Sequence, residues 1–178
     1  MGHKHTKQDI LDGALALAFA DGLGRLTFGR VAKHLGISDR IVVYYFPSKD
    51  DLIGDVLVAV GLRLQQTLAP AFVEPAADHV ELVRRAWPIL ATTQADPVFA
   101  LFFEAAGLAT TGAEPYRTLV PQLLEAWIAW AAELVSGTRT RRRTEAEAAV
   151  AVLDGLLLLR QLAGHDVAQR AARCLGFR

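Results

Sequence analysis

Residues 26–52 read LTFGRVAKHLGISDRIVVYYFPSKDDL, and they are the most informative stretch of the chain. Thr27 is a good N-cap for a short helix, and Gly36 breaks that helix. Ser38 is placed to cap a second helix, which ends before Pro47. Two short helices joined by a glycine-containing turn form a helix-turn-helix pattern, so we predict one from Thr27 to Lys49.

Such a pattern needs apolar residues that hold the two helices together and outward-facing side chains on the second helix. The predicted apolar positions are Phe28, Val31, Ala32, Leu35, Ile37, Val42 and Phe46. The predicted outward-facing residues are Asp39, Arg40, Val43 and Tyr44. Arg40 has donors for guanine, and Val43 or Ile41 offers apolar surface to a thymine methyl group. Taken alone, the pattern also fits a three-helix bundle that binds no ligand.

Helical periodicity continues along almost the whole chain, and no alternating strand pattern is evident. Before the pattern, apolar residues at helical spacing predict a first helix that ends at Asp21-Gly22-Leu23-Gly24. After it, we expect helices from about Ser48 to Ala69, around 78–94, from Asp96, from Pro115, from Thr144 to Ala163, and a short last one. We expect loops at 70–77, at 107–114 and at the arginine run (residues 139–143). The predicted fold is therefore all-α with about nine helices.

Bulk composition narrows the class of protein. Lys plus Arg equals Asp plus Glu at 19 each, but the first 50 residues carry seven Lys or Arg against five Asp. The single cysteine, Cys174, suits a reducing cytosol. The longest apolar run, Ala146–Leu159, is too short and too interrupted to span a bilayer. We expect a cytoplasmic protein with no cofactor and no metal site. We also expect no enzymatic activity, since no set of nucleophile and base can be assembled from the sequence.

Residues 7–55 closely resemble the TetR family of bacterial regulators. The resemblance is carried by Thr27, Val31-Ala32, Leu35-Gly36-Ile37-Ser38, and Tyr45-Phe46 followed by Lys49 and Leu52, all at the family's spacing. It implies an N-terminal helix-turn-helix domain, residues 1–50, and a C-terminal domain, residues 51–178, that dimerises and binds a small effector.

The resemblance also implies roles for individual residues. Thr27 matches a phosphate contact made through the hydroxyl and the helix N-terminus. Asp39, Arg40 and Ile41 match base-facing positions. Tyr44 and Tyr45 match an aromatic pair that braces the sugar-phosphate backbone, and Lys49 matches a lysine that pairs with phosphate.

Two positions depart from the family pattern. Many members carry tyrosine where Val43 stands, and some place a base-contacting arginine where Gly29 stands. Arg30 and Lys33 are then limited to backbone contacts. Asp39 repels phosphate, so it either accepts a hydrogen bond from a cytosine amine or caps a helix.

The C-terminal domain supports dimerisation more strongly than effector binding. Residues 150–159 are apolar around nearly the whole helix, as expected if one face packs internally and the other on a partner. We expect a homodimer formed through helices at about 144–163 and 165–175. The predicted effector-lining residues are Trp87, Phe99, Phe103, Trp127 and Trp130, although aromatic residues at this spacing also fit a plain core. Glu104 and Glu125 are among the polar groups offered to that pocket.

The predicted function is sequence-specific DNA binding at a palindromic operator, by a repressor that a small apolar effector releases. The first alternative is a DNA-binding regulator that needs no ligand. The second is a helical protein that binds small molecules and has lost its DNA role.

Overall fold

The computed structural model describes residues 5–177 and confirms an all-α fold. Within that range there are nine α-helices: α1 (Lys7–Asp21), α2 (Phe28–Leu35), α3 (Asp39–Tyr45), α4 (Lys49–Leu68), α5 (His79–Leu90), α6 (Asp96–Thr110), α7 (Tyr116–Glu133), α8 (Arg139–Ala163) and α9 (His165–Cys174). Short 3₁₀ turns occupy Leu23–Arg25 and Ala69–Phe72. The described residues contain one isolated β-bridge, between Ala76 and Val135.

The first helix begins at a reciprocal cap. The Thr6 hydroxyl accepts from the Asp9 amide, and the Asp9 carboxylate accepts from the Thr6 amide at 2.8 Å. The helix stops at Gly22, whose φ of 83° is unfavourable for residues with a side chain. The predicted glycine stop is therefore confirmed.

The chain forms two compact units. One comprises the chain up to Val60 together with Leu101–Val120, and the other comprises Gly61–Ala100 with Pro121 to the C-terminus. The first contains α1 to α3 and the amino-terminal part of α4. In the second, α8 packs against α5 and α9.

Two predicted loops are wrong. Helix α6 continues to Thr110, so residues 107–110 are helical. The arginine run is the first turn of α8, because the Thr138 hydroxyl caps the helix by accepting from the Arg141 amide. Thr144 is therefore not an N-cap, and its hydroxyl donates to the Thr140 carbonyl at 3.1 Å. The helix therefore begins at an upstream threonine, Thr138, that the sequence analysis did not consider.

One helix among the described residues, Lys49–Phe72, is long and apolar enough to cross a membrane by length and composition. Leu52, Ile53 and Val56 on that helix are at most 1% exposed within the protein. These three apolar residues belong to the core, while Val58 and Leu62 on the same helix are 44% and 52% exposed.

Candidate nucleic-acid interface

Helices α2 and α3 meet at the predicted glycine turn. Gly36 adopts a left-handed conformation, with φ 67°, and its amide closes α2. Val31, Ala32, Val42 and Phe46 are all buried. Apolar burial thus holds the two helices together, as a helix-turn-helix requires.

Helix α1 supports this pair through a close approach that the sequence analysis missed. A Cβ atom placed on Gly13 would lie 2.8 Å from Cδ2 of Leu35. No side chain fits at that position without displacing Leu35. Gly13 therefore sets the spacing between α1 and α2.

The outward face of α3 is open to solvent. Asp39 and Arg40 are exposed. Ile41, Val43 and Tyr44 are 36%, 44% and 79% exposed. Three large hydrophobic side chains beside an exposed arginine match the chemistry of a major-groove contact, in which methyl groups and guanine edges are recognised.

Thr27 is exposed at the start of α2. Its hydroxyl oxygen accepts from the Arg30 amide at 3.3 Å, which leaves the hydroxyl proton able to donate to a phosphate. The positive end of the helix dipole lies at the same place.

Lys49 is the exposed first residue of α4. The backbone amide of Asp51, in the same helical turn, is already capped by Ser48. The Ser48 hydroxyl accepts from this amide at 3.0 Å and donates to the Asp51 carboxylate at 2.7 Å. Lys49 therefore offers a cation, while the first-turn amide at Asp51 is already bonded within the protein.

Two predicted DNA contacts, Arg30 and Tyr45, have internal partners, and a third, Asp39, lies close to α2. Arg30 donates to the Asp21 carboxylate. The Tyr45 hydroxyl donates to the His5 carbonyl at 2.9 Å, and the Tyr45 ring meets that of Tyr44 edge-on at 4.9 Å. The Asp39 carboxylate lies against the first turn of α2, 3.5 Å from where a Cβ on Gly29 would stand. These three roles remain predictions, and the side chains of Arg30 and Tyr45 are less exposed than those of Thr27, Arg40, Tyr44 and Lys49.

Gly29, one of the two departures from the family pattern, and Asp39 are therefore neighbours in space. The absence of a side chain at Gly29 leaves room for Asp39, and the α2 N-terminus is a favourable place for a carboxylate. This favours the helix-stabilising interpretation of Asp39 over base contact. The signal was present in the sequence, but only the fold brings the two positions together.

Of the predicted effector residues, two lie in the core. Trp87 is 1% exposed and its indole N–H donates to Gln169 at 3.1 Å, and Phe99 is 5% exposed. Phe103 is half-buried beside Phe102. Trp127 and Trp130 are half-buried on α7, with ring centroids 4.9 Å apart.

The two glutamates offered to the effector pocket are used elsewhere. Glu104 on α6 accepts from the amides of Leu23 and Gly24. Glu125 pairs with Arg143, and this guanidinium holds the pKa of the Glu125 carboxyl below its usual range. Burial, with the charges of Glu104 and Asp50, raises the pKa of Tyr116 to about 12. Glu104 is the residue beside the helix-turn-helix that sequence reasoning placed wrongly.

Three of the four arginines in the run, Arg141, Arg142 and Arg143, are paired with carboxylates. Arg142 pairs with Glu133 at 3.0 Å, and Arg143 pairs with Glu125 and with Glu147 at 2.8 Å. The structure therefore does not support a second nucleic-acid surface at these paired arginines.

An exposed arginine and tyrosine on the second helix of a helix-turn-helix, with a threonine cap beside it, define a DNA-binding protein of the helix-turn-helix class. Comparison with known proteins shows which family this segment resembles. Residues 10–56 match the model for bacterial regulatory proteins of the tetR family. The N-terminal segment is therefore similar to that of the tetR family, and the chain shares its fold with a TetR transcriptional regulator.

Three solved structures illustrate the similarity. A TetR transcriptional regulator from Legionella pneumophila is 21% identical with a TM-score of 0.68, over 98% of this chain and 97% of that one. The multidrug binding protein EbrR, complexed with proflavin, is 26% identical with a TM-score of 0.65, over 95% and 98%. A putative transcriptional regulator from Saccharomonospora viridis, in complex with choline, is 20% identical with a TM-score of 0.68, over 94% and 93%. No curated protein matches the chain.

The match to bacterial regulatory proteins over residues 10–56 supports a DNA-binding, regulatory role for the chain. This agrees with the expectation drawn from the sequence.

Proposed function

We propose that the protein is a homodimeric repressor that binds a palindromic operator and releases it when a small apolar molecule binds the C-terminal domain. The observation that carries the DNA-binding part is the exposed face of α3, where Arg40 stands among Ile41, Val43 and Tyr44. Arg40 would donate to a guanine, and Ile41 and Val43 would contact thymine methyl groups. Thr27, Tyr44 and Lys49 would contact phosphates.

The dimer is supported by the exposed stripe of α8 (Ala151, Gly155, Leu158 and Leu162). These residues are spaced by three or four positions, so they lie on one helix face, and all four are exposed. The opposite face is buried through Leu153, Leu156 and Leu157. Leu162 is 78% exposed, an unfavourable state for a leucine that a partner helix would relieve. A twofold dimer suits a palindromic operator.

The effector would contact the aromatic residues of α7 that are not already in the core, namely Trp127 and Trp130. EbrR binds proflavin, and the protein from S. viridis was solved with choline. Faces of aromatic rings attract organic cations. We therefore place weakly basic or cationic apolar molecules first among candidate effectors.

We also propose that the functional division follows the predicted boundary, with DNA binding in residues 1–50 and effector binding and dimerisation in 51–178, and that the protein is cytoplasmic. Effector binding would favour a state in which the two helix-turn-helix segments no longer match successive major grooves.

A regulator that needs no effector is the second candidate. It is favoured by the burial of Trp87 and Phe99, which removes two of the five predicted lining residues from any open pocket.

The test is selection of bound duplexes from a random pool, followed by titration of the complex with proflavin. We expect enrichment of two inverted half-sites about one helical turn apart, or a multiple of this. We also expect release of the duplex as proflavin quenches tryptophan fluorescence. An enriched sequence without twofold symmetry would contradict the dimer. Quenching without release would contradict control by this ligand class.

A further inference from the structure

The connection between α1 and α2 (residues 21–26) is held by one carboxylate from a distant part of the sequence. Oε2 of Glu104 accepts from the Leu23 amide and Oε1 from the Gly24 amide, both at 2.9 Å. Glu104 lies on α6, some 80 residues further along the chain. Hydrogen bonds from backbone amides to a carboxylate are stronger than those between neutral groups, so this is a firm attachment.

The backbone of the connection is shaped around that carboxylate. Gly22 has a φ of 83°, and a Cβ atom there would lie 2.9 Å from Oε2 of Glu104. At Gly24 a Cβ would lie 3.5 Å from Oε1. Glycine at position 22 therefore serves both the turn and the approach of Glu104.

The connection leads directly into the helix-turn-helix. The Leu26 amide donates to the Leu23 carbonyl at 3.1 Å, and Thr27, the cap of α2, follows at once. At the other end of the connection, Asp21 accepts from Arg30 of α2. The position of Leu23 and Gly24 thus determines where α2 begins.

We propose that Glu104 is a positioning residue for DNA binding. It holds residues 23 and 24 so that the Thr27 hydroxyl and the first amides of α2 meet a phosphate. Glu104 itself contacts no DNA. The inference rests on the DNA-binding role of the helix-turn-helix, and it is independent of dimerisation and of any effector.

The test compares the full-length variants Glu104→Ala and Glu104→Gln with the matched control Glu114→Gln. The Glu114 carboxylate also accepts two hydrogen bonds, but from Arg117 and Thr118 near the start of α7. The probe is the selected duplex, at fixed salt and at a temperature where circular dichroism shows every variant folded. We expect Glu104→Ala to weaken binding about tenfold. The substitution removes two hydrogen bonds to a charged group, and only part of the free energy of these bonds contributes to the DNA contact. Glu104→Gln keeps one acceptor oxygen and should fall between Ala and wild type, while Glu114→Gln should bind as wild type.

Hydrogen exchange distinguishes a positioning role of Glu104 from a general contribution to the stability of the helix-turn-helix. In Glu104→Gln the amides of Leu23 and Gly24 should exchange faster, while protection in the interior of α2 and α3 is kept. Equal duplex affinity of folded wild type and both Glu104 variants would overturn the proposal. So would a loss of protection throughout α2 and α3 that parallels the loss of binding. Failure of the wild type to bind any duplex is a different result, because it refutes the DNA-binding role itself.

Discussion

Arg40 and Lys49 in the helix-turn-helix and Arg142 and Arg143 at the start of α8 are all cations at the surface, but their surroundings differ. Within residues 5–177, Arg40 and Lys49 have no carboxylate partner, whereas Arg142 and Arg143 are paired with glutamates. The arginine run holds the denser positive charge in the sequence. The arginine run is nonetheless the poorer site for phosphate. Arg142 and Arg143 must each release a paired carboxylate before they can bind a phosphate. Pairing, and not the count of cations, separates a surface suited to DNA from a structural one.

The largest effect should follow removal of the most buried paired cation. The Arg160 guanidinium on α8 is 5% exposed and donates to both oxygens of Asp96. Arg160→Met leaves the Asp96 carboxylate without its partner, so we expect a loss of about 3 kcal/mol in the free energy of unfolding. Chemical denaturation measures it. If Arg160→Met is as stable as wild type, paired cations in the C-terminal unit do not serve stability.

Removal of the free cation on α3 should act on DNA and leave stability unchanged. Arg40→Ala should cost about 1–3 kcal/mol of binding to the selected duplex, through loss of a guanine contact. The loss should be confined to one base pair of each half-site. Competition with duplexes altered one position at a time measures it, and a uniform loss for all sequences would contradict base contact by Arg40.

A smaller and different loss is expected for Lys49→Ala. A phosphate contact has no sequence preference, so all duplexes should bind more weakly, and the slope of log affinity against log salt should fall by about one. Arg143→Ala is the matched control, since it removes a surface cation that is already paired, and its slope should equal that of wild type. Equal slopes for Lys49→Ala and wild type would remove Lys49 from the phosphate contacts.

The smallest expected effect is a change in stability with pH that depends on the paired carboxylate of Glu145. Hydrogen bonds from the His79 backbone and side chain lower the pKa of Glu145 from 4.5. Because the folded pKa lies below the unfolded one, this contribution to stability is complete above about pH 4.5 and is lost as the pH falls through the folded pKa. Wild type should therefore lose more stability than Glu145→Gln between pH 6 and pH 3, as measured by thermal unfolding. Parallel curves would show that the His79–Glu145 pair contributes nothing.

The two regions also differ in how far the sequence predicted them. Thr27 as the cap of α2, Gly36 in the turn, and the burial of Val42 and Phe46 were all predicted and are confirmed. The arginine run was predicted as a loop and is helical, because arginine is compatible with a helix and an earlier threonine supplies the cap. Local signals were sufficient where glycine and capping residues allow only one position for the end of a helix. They failed at the start of α8, where the predicted start at Thr144 overlooked the upstream cap Thr138.

The sequence by itself determined the helix-turn-helix, because its signals are local: caps, a left-handed glycine and apolar residues at helical spacing act within a few positions of one another. Only the tertiary structure decided which charged groups are free. The partner of Arg30 is nine residues away, that of Arg160 is 64 residues away, and the amides held by Glu104 are about 80 residues away. Hydrogen bonding and ion pairing depend on distance in space, and spacing along the chain does not report that distance.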